Sequence, residues 1–429
     1  MPAPSLLYRL ITRSARALLP AAALLSPKLQ TGLTGRRIDR TRLIAWGHTS
    51  RDPGRPLLHL HAASAGELRQ AEPVLNRLRA RHPDWQVAVT CFSPSGSSVA
   101  SALGADLSAF LPWDRPDDVA AFLRDVHPQV TLIAKLDVWP EFILAAKTRQ
   151  VKVGLIAATV RPGSGRLGRL ARSMTLGAYA SLDFVAAIDD ADAVRLGRLG
   201  VRPASLVVLG DPRADGVIER LRDQNPSRLW PQFAGGGPAL VAGSTWRDDE
   251  SALLEAFAIV RQERADARLV LVPHQPTDEV SRGIARWASI LHLPAPVAIA
   301  TAGATDTLLV QNRVGTLALL YGLGVIGYVG GGFGRAGLHS VLEPAGWSLP
   351  VITGPRCTEH RDATRLRAAG GLVPLPAAGS AAELARLWLR WLRDEDARQT
   401  AGRAARRALE SDIGAADRIA DRVEPLFVR

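Results

Sequence analysis

The sequence predicts an α/β protein of two Rossmann-like domains facing each other across a cleft, and three observations lead to that reading. Short apolar runs alternate with segments of helical period, the pattern of a parallel sheet covered on both faces. A Pro- and Gly-rich break, NPSRLWPQFAGGGP, interrupts the pattern near the middle and a fresh strand follows it. The 429 residues exceed the ~250–300 at which single cores stop growing.

The runs of the first half are LLHLH at Leu57 to His61, QVAVT at Gln86 to Thr90 and VTLIA at Val130 to Ala134, then VGLIAA, DFVAAI and LVVLG. The second half starts with ALVAG at Ala239 and continues through RLVLV, TLLVQ, VIGYVGG and LPVIT to an Ala/Arg/Leu-rich helical tail from Ala381 to Val428. The expected organisation is a leader over 1–51, a first domain over 52–222, a linker over 223–238 and a second domain over 239–429. Two such domains and a cleft suit a periplasmic-type binder or a glycosyltransferase of the GT-B architecture, and the lack of a credible signal peptide disfavours the binder.

The formal charge of +12 asks for an anionic partner. Most of it is at the front: up to Arg51 there are nine basic residues against Asp39 alone. Leu6 to Leu25 is apolar, but Arg9, Arg13 and Arg16 interrupt it, whereas a spanning helix needs ~20 largely uncharged residues. On a helical wheel these arginines share one face and Leu7, Leu10, Ile11, Ser14, Ala17 and Leu18 fall on the other, as in a helix lying on an anionic leaflet. The same pattern also fits a helix packed on the protein's own core. Clustered charge without stacking aromatics argues against nucleic acid. Cys91 and Cys357 form no CxxC, so no disulfide framework or zinc cluster is written in the sequence, and a reducing compartment fits.

Ligands of open parallel sheets bind beyond the carboxyl ends of the strands. Polar segments follow the strands here: AASAGE, KLDVWPE, DPRAD, STWRDDE, PHQP and GGGFGRAGLHS. The last is the strongest anion site, because its glycines admit close backbone approach and a helix starting near Leu338 would aim free N–H groups at a phosphate. His339 and Ser340 add donors, and Glu343 suits ribose hydroxyls. Gly332, Gly334 and Gly337 formally satisfy GxGxxG, but LPVIT is followed by Gly354 and Pro355 rather than a carboxylate, so a dinucleotide site is disfavoured. Ser244 and Thr245 are a second phosphate site or a helix N-cap, with His274 on the adjacent strand. Glu67 is a helix-capping carboxylate or a general base. HExxH, GxSxG and GxxxxGK[ST] do not occur.

HAASAGE, CFSPSG, LPWD, DVWPE, GDPRAD, AGSTWRDDE, VPHQP and above all LLYGLGVIGYVGGGFGRAGLHSVLEPA resemble the 3-deoxy-D-manno-octulosonic acid (Kdo) transferases, from about Leu57 to Gly371. The resemblance implies a GT-B fold, CMP-Kdo as donor, a phosphorylated lipid A precursor as acceptor, and inversion without metal or other cofactor at the cytoplasmic face of the bacterial inner membrane. It implies Glu67 as base, Ser64 and Gly66 on the acceptor side, and Arg213, Ser244, Thr245, His274, Gly332, His339, Ser340 and Glu343 on the donor side. Many members read Glu-Thr-Glu where this chain has Lys135-Leu136-Asp137, and Lys where it has Arg213. Lys135 and Asp137 are therefore expected in the catalytic site, with Lys135 available to a carboxylate or phosphate. The alternatives are a GT-B transferase for another nucleotide sugar and a non-catalytic protein that binds anionic lipid.

Overall fold

The computed structural model describes residues 6–233, 235–334 and 337–427. It divides into two compact units, residues 1–216 with 412–429, and residues 217–411. The first unit is built on a parallel sheet of β1 (Leu57–Ala62), β2 (Gln86–Cys91), β3 (Leu107–Phe110), β4 (Val130–Ala134), β5 (Lys152–Ala158), β6 (Phe184–Ala187) and β7 (Leu206–Val208), in the order β3-β2-β1-β4-β5-β6-β7. The second holds β8 (Ala239–Thr245), β9 (Arg268–Pro273), β10 (Val297–Ala298), β11 (Leu308–Val310), β12 (Ile326–Val329), β13 (Val351–Thr353) and β14 (Leu372–Pro374), ordered β10-β11-β9-β8-β12-β13-β14. All pairings are parallel. β1, β2, β4 and β9 are buried along their whole length, which is why they read as apolar runs rather than alternations.

The strands that escape the sequence reading, β3, β10 and β14, lie at the sheet edges and are two to four residues long. Edge strands are kept short and carry too few residues for a periodic signal. The strand order reverses between β1 and β4 in the first sheet and between β8 and β12 near the middle of the second. Those reversals open the crevices where ligands of such sheets bind.

Two boundaries differ from the sequence expectation. Residues 223–238 are part of the second unit instead of a free linker: Arg268, fully buried, lies 3.8 Å from the centre of the Phe233 ring and donates through Nη1 to the Phe233 carbonyl at 3.2 Å. The end of the helical tail returns to the first unit. Helix Ala415–Val423 buries Ala415, Ala416, Ile419, Ala420 and Val423, a stripe of helical period. Its N-terminus is capped by Asp215, which accepts the N–H groups of Gly414 (2.7 Å) and Ala416 (2.8 Å), while Arg77 and Arg81 of helix Ala65–Arg81 pair with Asp417.

The leader forms helices Leu6–Ala23 and Pro27–Thr49. Tyr8 donates to Asp114 at 2.6 Å, and Arg9 pairs with Glu141. Arg9 is thus turned to the protein, contrary to an all-lipid role for the basic face, because buried Glu141 needs a cation. The side chains of Arg16 and Leu18 lie outside what is described. Leu7, Leu10, Ile11, Leu24 and Leu25 are exposed. No helix among the described residues is long and apolar enough to cross a membrane.

Candidate functional site

The first crevice gathers Glu67, Lys135 and Asp137. Beyond β1 the chain enters helix Ala65–Arg81 at Ser64, whose side chain makes no capping bond. Glu67, in the first turn, reaches back instead, and its Oε2 accepts the Ala63 N–H at 2.8 Å. The helix-capping reading of Glu67 is therefore realised, in a half-buried carboxylate at the strand end. A Cβ at Gly66 would meet nothing within 4 Å, so space is open beside it.

Beyond β4, Lys135 adopts φ +57° while its N–H bonds the Ile156 carbonyl at 2.9 Å. Such a left-handed turn is uncommon for a side chain other than glycine. Burial pushes the Lys135 pKa down; Glu67 opposes the shift, and Arg213 and Arg161 repel the ammonium. Burial also opposes ionisation of Asp137, but its 2.8 Å hydrogen bond to His61 Nε2 and the charges around it outweigh burial and hold the carboxyl below the usual range.

Arg213, expected among the donor contacts, belongs to the first unit. Asp211, buried just beyond β7, fixes it through Oδ2 at 2.6 Å to Nη2 and 3.0 Å to Nε, and Gln70 donates to Asp211 Oδ1 at 3.1 Å. Arg213 lies near enough to repel the Lys135 ammonium, so both cations stand near Glu67.

The second crevice is assembled around Asp249. Its Oδ2 accepts the N–H groups of Trp246 (2.9 Å) and Gly331 (2.9 Å), and its Oδ1 the Tyr328 hydroxyl (2.7 Å). One buried carboxylate thereby ties the loop after β8 to the loop after β12. Gly331 stands at φ +91°, and a Cβ on Gly332 would come within 2.8 Å of the Gly354 backbone. These glycines are required by the packing of backbone on backbone.

Two expectations fail here. The helix after the glycine loop starts at Leu342 and runs only to Gly346, so residues 338–340 are loop and present no helix N-terminus. Proline at 344 and the turn at Gly337 (φ +84°) restrict the helix to that short piece. Ser244 and Thr245 are not an N-cap, since β8 runs through Thr245 and Trp246 caps helix Arg247–Glu263. Ser244 takes φ +53°, and buried Thr245 donates to Glu250 Oε1 at 3.1 Å. Ser340 and Glu343 are brought together by a hydrogen bond from the Ser340 hydroxyl to Oε2, with Arg220 Nη1 4.0 Å from Oε1.

His274 and His339 do meet. Their rings stack at 4.4 Å, and Trp246 stacks on His274 at 4.7 Å. Trp246 Nε1 donates to His339 Nε2 at 3.2 Å, which leaves the proton of the neutral imidazole on Nδ1, where it can serve an anion. Burial, then His274 and His360, pushes the His339 pKa down to about 4 from 6.5. The unfolded chain takes up this proton near 6.5 and the folded chain only near 4, so stability is complete above the upper value and falls as the pH drops through the window. The replacement His339→Asn should flatten the dependence of Tm on pH between 6.5 and 4. Thermal melts of both proteins across that window check it, and identical slopes would exclude His339 as the cause.

Trp246, Asp249 and His61 are site residues that the sequence reading missed. Asp249 stands three residues after the N-cap, a capping-box spacing that could have found it. His59 and His61 alternate with leucines in a buried central strand, the composition least expected there.

Among the described residues no group of His, Cys, Asp and Glu could hold a metal ion. The family described as 3-Deoxy-D-manno-octulosonic-acid transferase (kdotransferase) matches residues 37–216. The 3-deoxy-D-manno-octulosonic acid transferase of Haemophilus influenzae is 26% identical over 393 residues, covering 90% of each chain. That of Bordetella pertussis is 28% identical over 384 residues, 85% of this chain and 86% of the relative. Among solved structures, UDP-GlcNAc 2-epimerase from Neisseria meningitidis (14% identity, TM-score 0.62) covers 87% of this chain and 100% of its own. A glycosyltransferase from Rickettsia africae (12% identity, TM-score 0.58) covers 87% and 99%. These structural likenesses concern the fold, whereas the sequence relatives concern the family. Over most of its length the chain is thus similar to 3-deoxy-D-manno-octulosonic acid transferases, and it is a glycosyltransferase of the GT-B fold class.

Proposed function

We propose that the protein transfers Kdo from CMP-Kdo to a phosphorylated lipid A precursor, lipid IVA, in lipopolysaccharide biosynthesis, with inversion at the sugar and without a metal. The observation that carries this reading is the stacked His274–His339 pair beside a glycine loop at the β8–β12 reversal of the second sheet, in a chain similar to these transferases. In this reading the Nδ1–H of His339 and the loop amides receive the donor, with Ser244, Ser340 and Glu343 around it. Glu67 takes the proton of the acceptor hydroxyl as it attacks the anomeric carbon. CMP departs on a phosphate stabilised by fixed dipoles and cations, which is electrostatic catalysis. Lys135 and Arg213 supply positive charge for a carboxylate or phosphate at the first crevice.

The test supplies CMP-Kdo and a tetraacylated lipid A precursor in the presence of EDTA. CMP release that depends on the lipid, with a product heavier by whole Kdo residues, is the expected result. Turnover of a UDP-sugar in place of CMP-Kdo would sink the reading.

We assign the leader to an anionic membrane surface at the cytoplasmic face of the inner membrane. Leu10, Leu24 and Leu25 are 62%, 87% and 89% exposed, and basic residues near an anionic surface contribute ~1 kcal/mol each. The double replacement Leu10→Asp and Leu24→Asp should lower binding to phosphatidylglycerol vesicles at least ~10-fold, since each removes apolar burial of ~1.5–3 kcal/mol. Co-sedimentation measures it, and unchanged binding would refute the assignment.

A further inference from the structure

A continuous hydrogen-bonded chain runs through the interior of the first unit and ends on Asp137. Thr131 Oγ1 lies 3.2 Å from His59 Nδ1, and His59 Nε2 lies 2.8 Å from Thr90 Oγ1. The same hydroxyl is 2.8 Å from His61 Nδ1, and His61 Nε2 is 2.8 Å from Asp137 Oδ2. Thr90, Thr131 and His59 are fully buried and His61 is 1% exposed, while the Asp137 side chain is 15% exposed. Three central strands contribute, β1 with both histidines, β2 with Thr90 and β4 with Thr131. Only Asp137 reaches the crevice.

Chemistry fixes the direction of the chain. A carboxylate only accepts, so His61 Nε2 must carry a proton. With a neutral His61, Nδ1 accepts from the Thr90 hydroxyl, whose oxygen then accepts from His59 Nε2–H, and Thr131 donates to His59 Nδ1. His59 packs 5.0 Å from the Phe122 ring and 5.8 Å from the Phe142 ring, so its imidazole cannot swing away. Polar groups buried this deeply cost stability unless all are paired. Aliphatic side chains would fill the central strands without such a requirement.

We propose that His61 is a positioning residue, locked by Thr90 and His59, which holds the Asp137 carboxylate in its working orientation at the crevice of the transfer reaction. The proposal rests on the reading of Asp137 as part of the transfer site. It deepens that reading by giving Asp137 a support that reaches across three strands.

The test contrasts two amides. The amide nitrogen of Gln superposes on Nε2 of histidine and keeps a donor for Asp137, whereas Asn keeps a partner for Thr90 and withdraws from Asp137. His61→Asn should lower kcat on the order of 10²-fold with little change in KM for CMP-Kdo, the scale of a misplaced reacting group, and His61→Gln should stay within ~10-fold of the parent. Thr90→Val should lower kcat ~10-fold and Thr90→Ser should restore it, because only the hydroxyl locks the imidazole. Equal losses in the two His61 variants, or full activity in Thr90→Val, would overturn the proposal. Long-range 1H–15N spectra of histidine-labelled wild-type protein need no assay: they should show a proton on His61 Nε2. An Nδ1-only tautomer refutes the positioning role even if transfer from CMP-Kdo is demonstrated, and a protonated Nε2 supports it if another donor sugar proves correct.

Discussion

Glu67→Gln is expected to reduce transfer by ~10²–10⁴-fold in kcat, the range supplied by a positioned general base. The substitution is chosen because Glu67 has a structural duty as well, accepting the Ala63 N–H in the first turn of helix Ala65–Arg81. A glutamine carbonyl can accept that bond, so the helix end is kept while the basic oxygen is lost. Glu67→Ala removes both, and the missing cap adds a stability loss of ~1 kcal/mol. CMP release with a lipid acceptor, read beside urea unfolding of each variant, separates the two effects. If Glu67→Gln kept more than a tenth of the parental kcat, the base would have to be sought elsewhere in the crevice.

The largest stability effect is expected at Asp249. Replacing it with alanine strands the Trp246 and Gly331 N–H groups and the Tyr328 hydroxyl, all held by its two oxygens. Each unsatisfied buried donor costs about 1–3 kcal/mol, so the second unit should lose at least ~3 kcal/mol. Donor affinity should fall with it, because the same carboxylate joins the loop after β8 to the glycine loop after β12. Asp249→Asn, with one accepting oxygen left, should fall between the two. Urea denaturation and titration with CMP give both quantities. A loss under ~1 kcal/mol for Asp249→Ala would show that the loops hold their places without it.

Much of this molecule is legible from the chain alone. The buried central strands announce themselves as apolar runs because both faces of each sheet are covered. The polar segments after them mark the ligand edges, since a parallel α/β sheet presents one end of all its strands to ligands. Glu67, Lys135 and Asp137, and likewise His274 and His339, are found in this way. The edge strands β3, β10 and β14 are not, for want of length, nor is the return of helix Ala415–Val423 to the first unit, which depends on the Asp215 cap about two hundred residues earlier.

The sequence by itself determined the α/β class, the two crevice edges and part of the set of residues at them, because these follow from local period and from residues adjacent to strand ends. Tertiary structure alone decided how those residues are used. It bound Arg213 to Asp211, shortened the helix after the glycine loop to Leu342–Gly346, stacked His339 on His274 and joined Asp137 to a buried chain of hydroxyls and imidazoles. Such contacts join strands far apart in the chain, and hydrogen-bond partners in a buried sheet are set by register and burial, which no local pattern encodes.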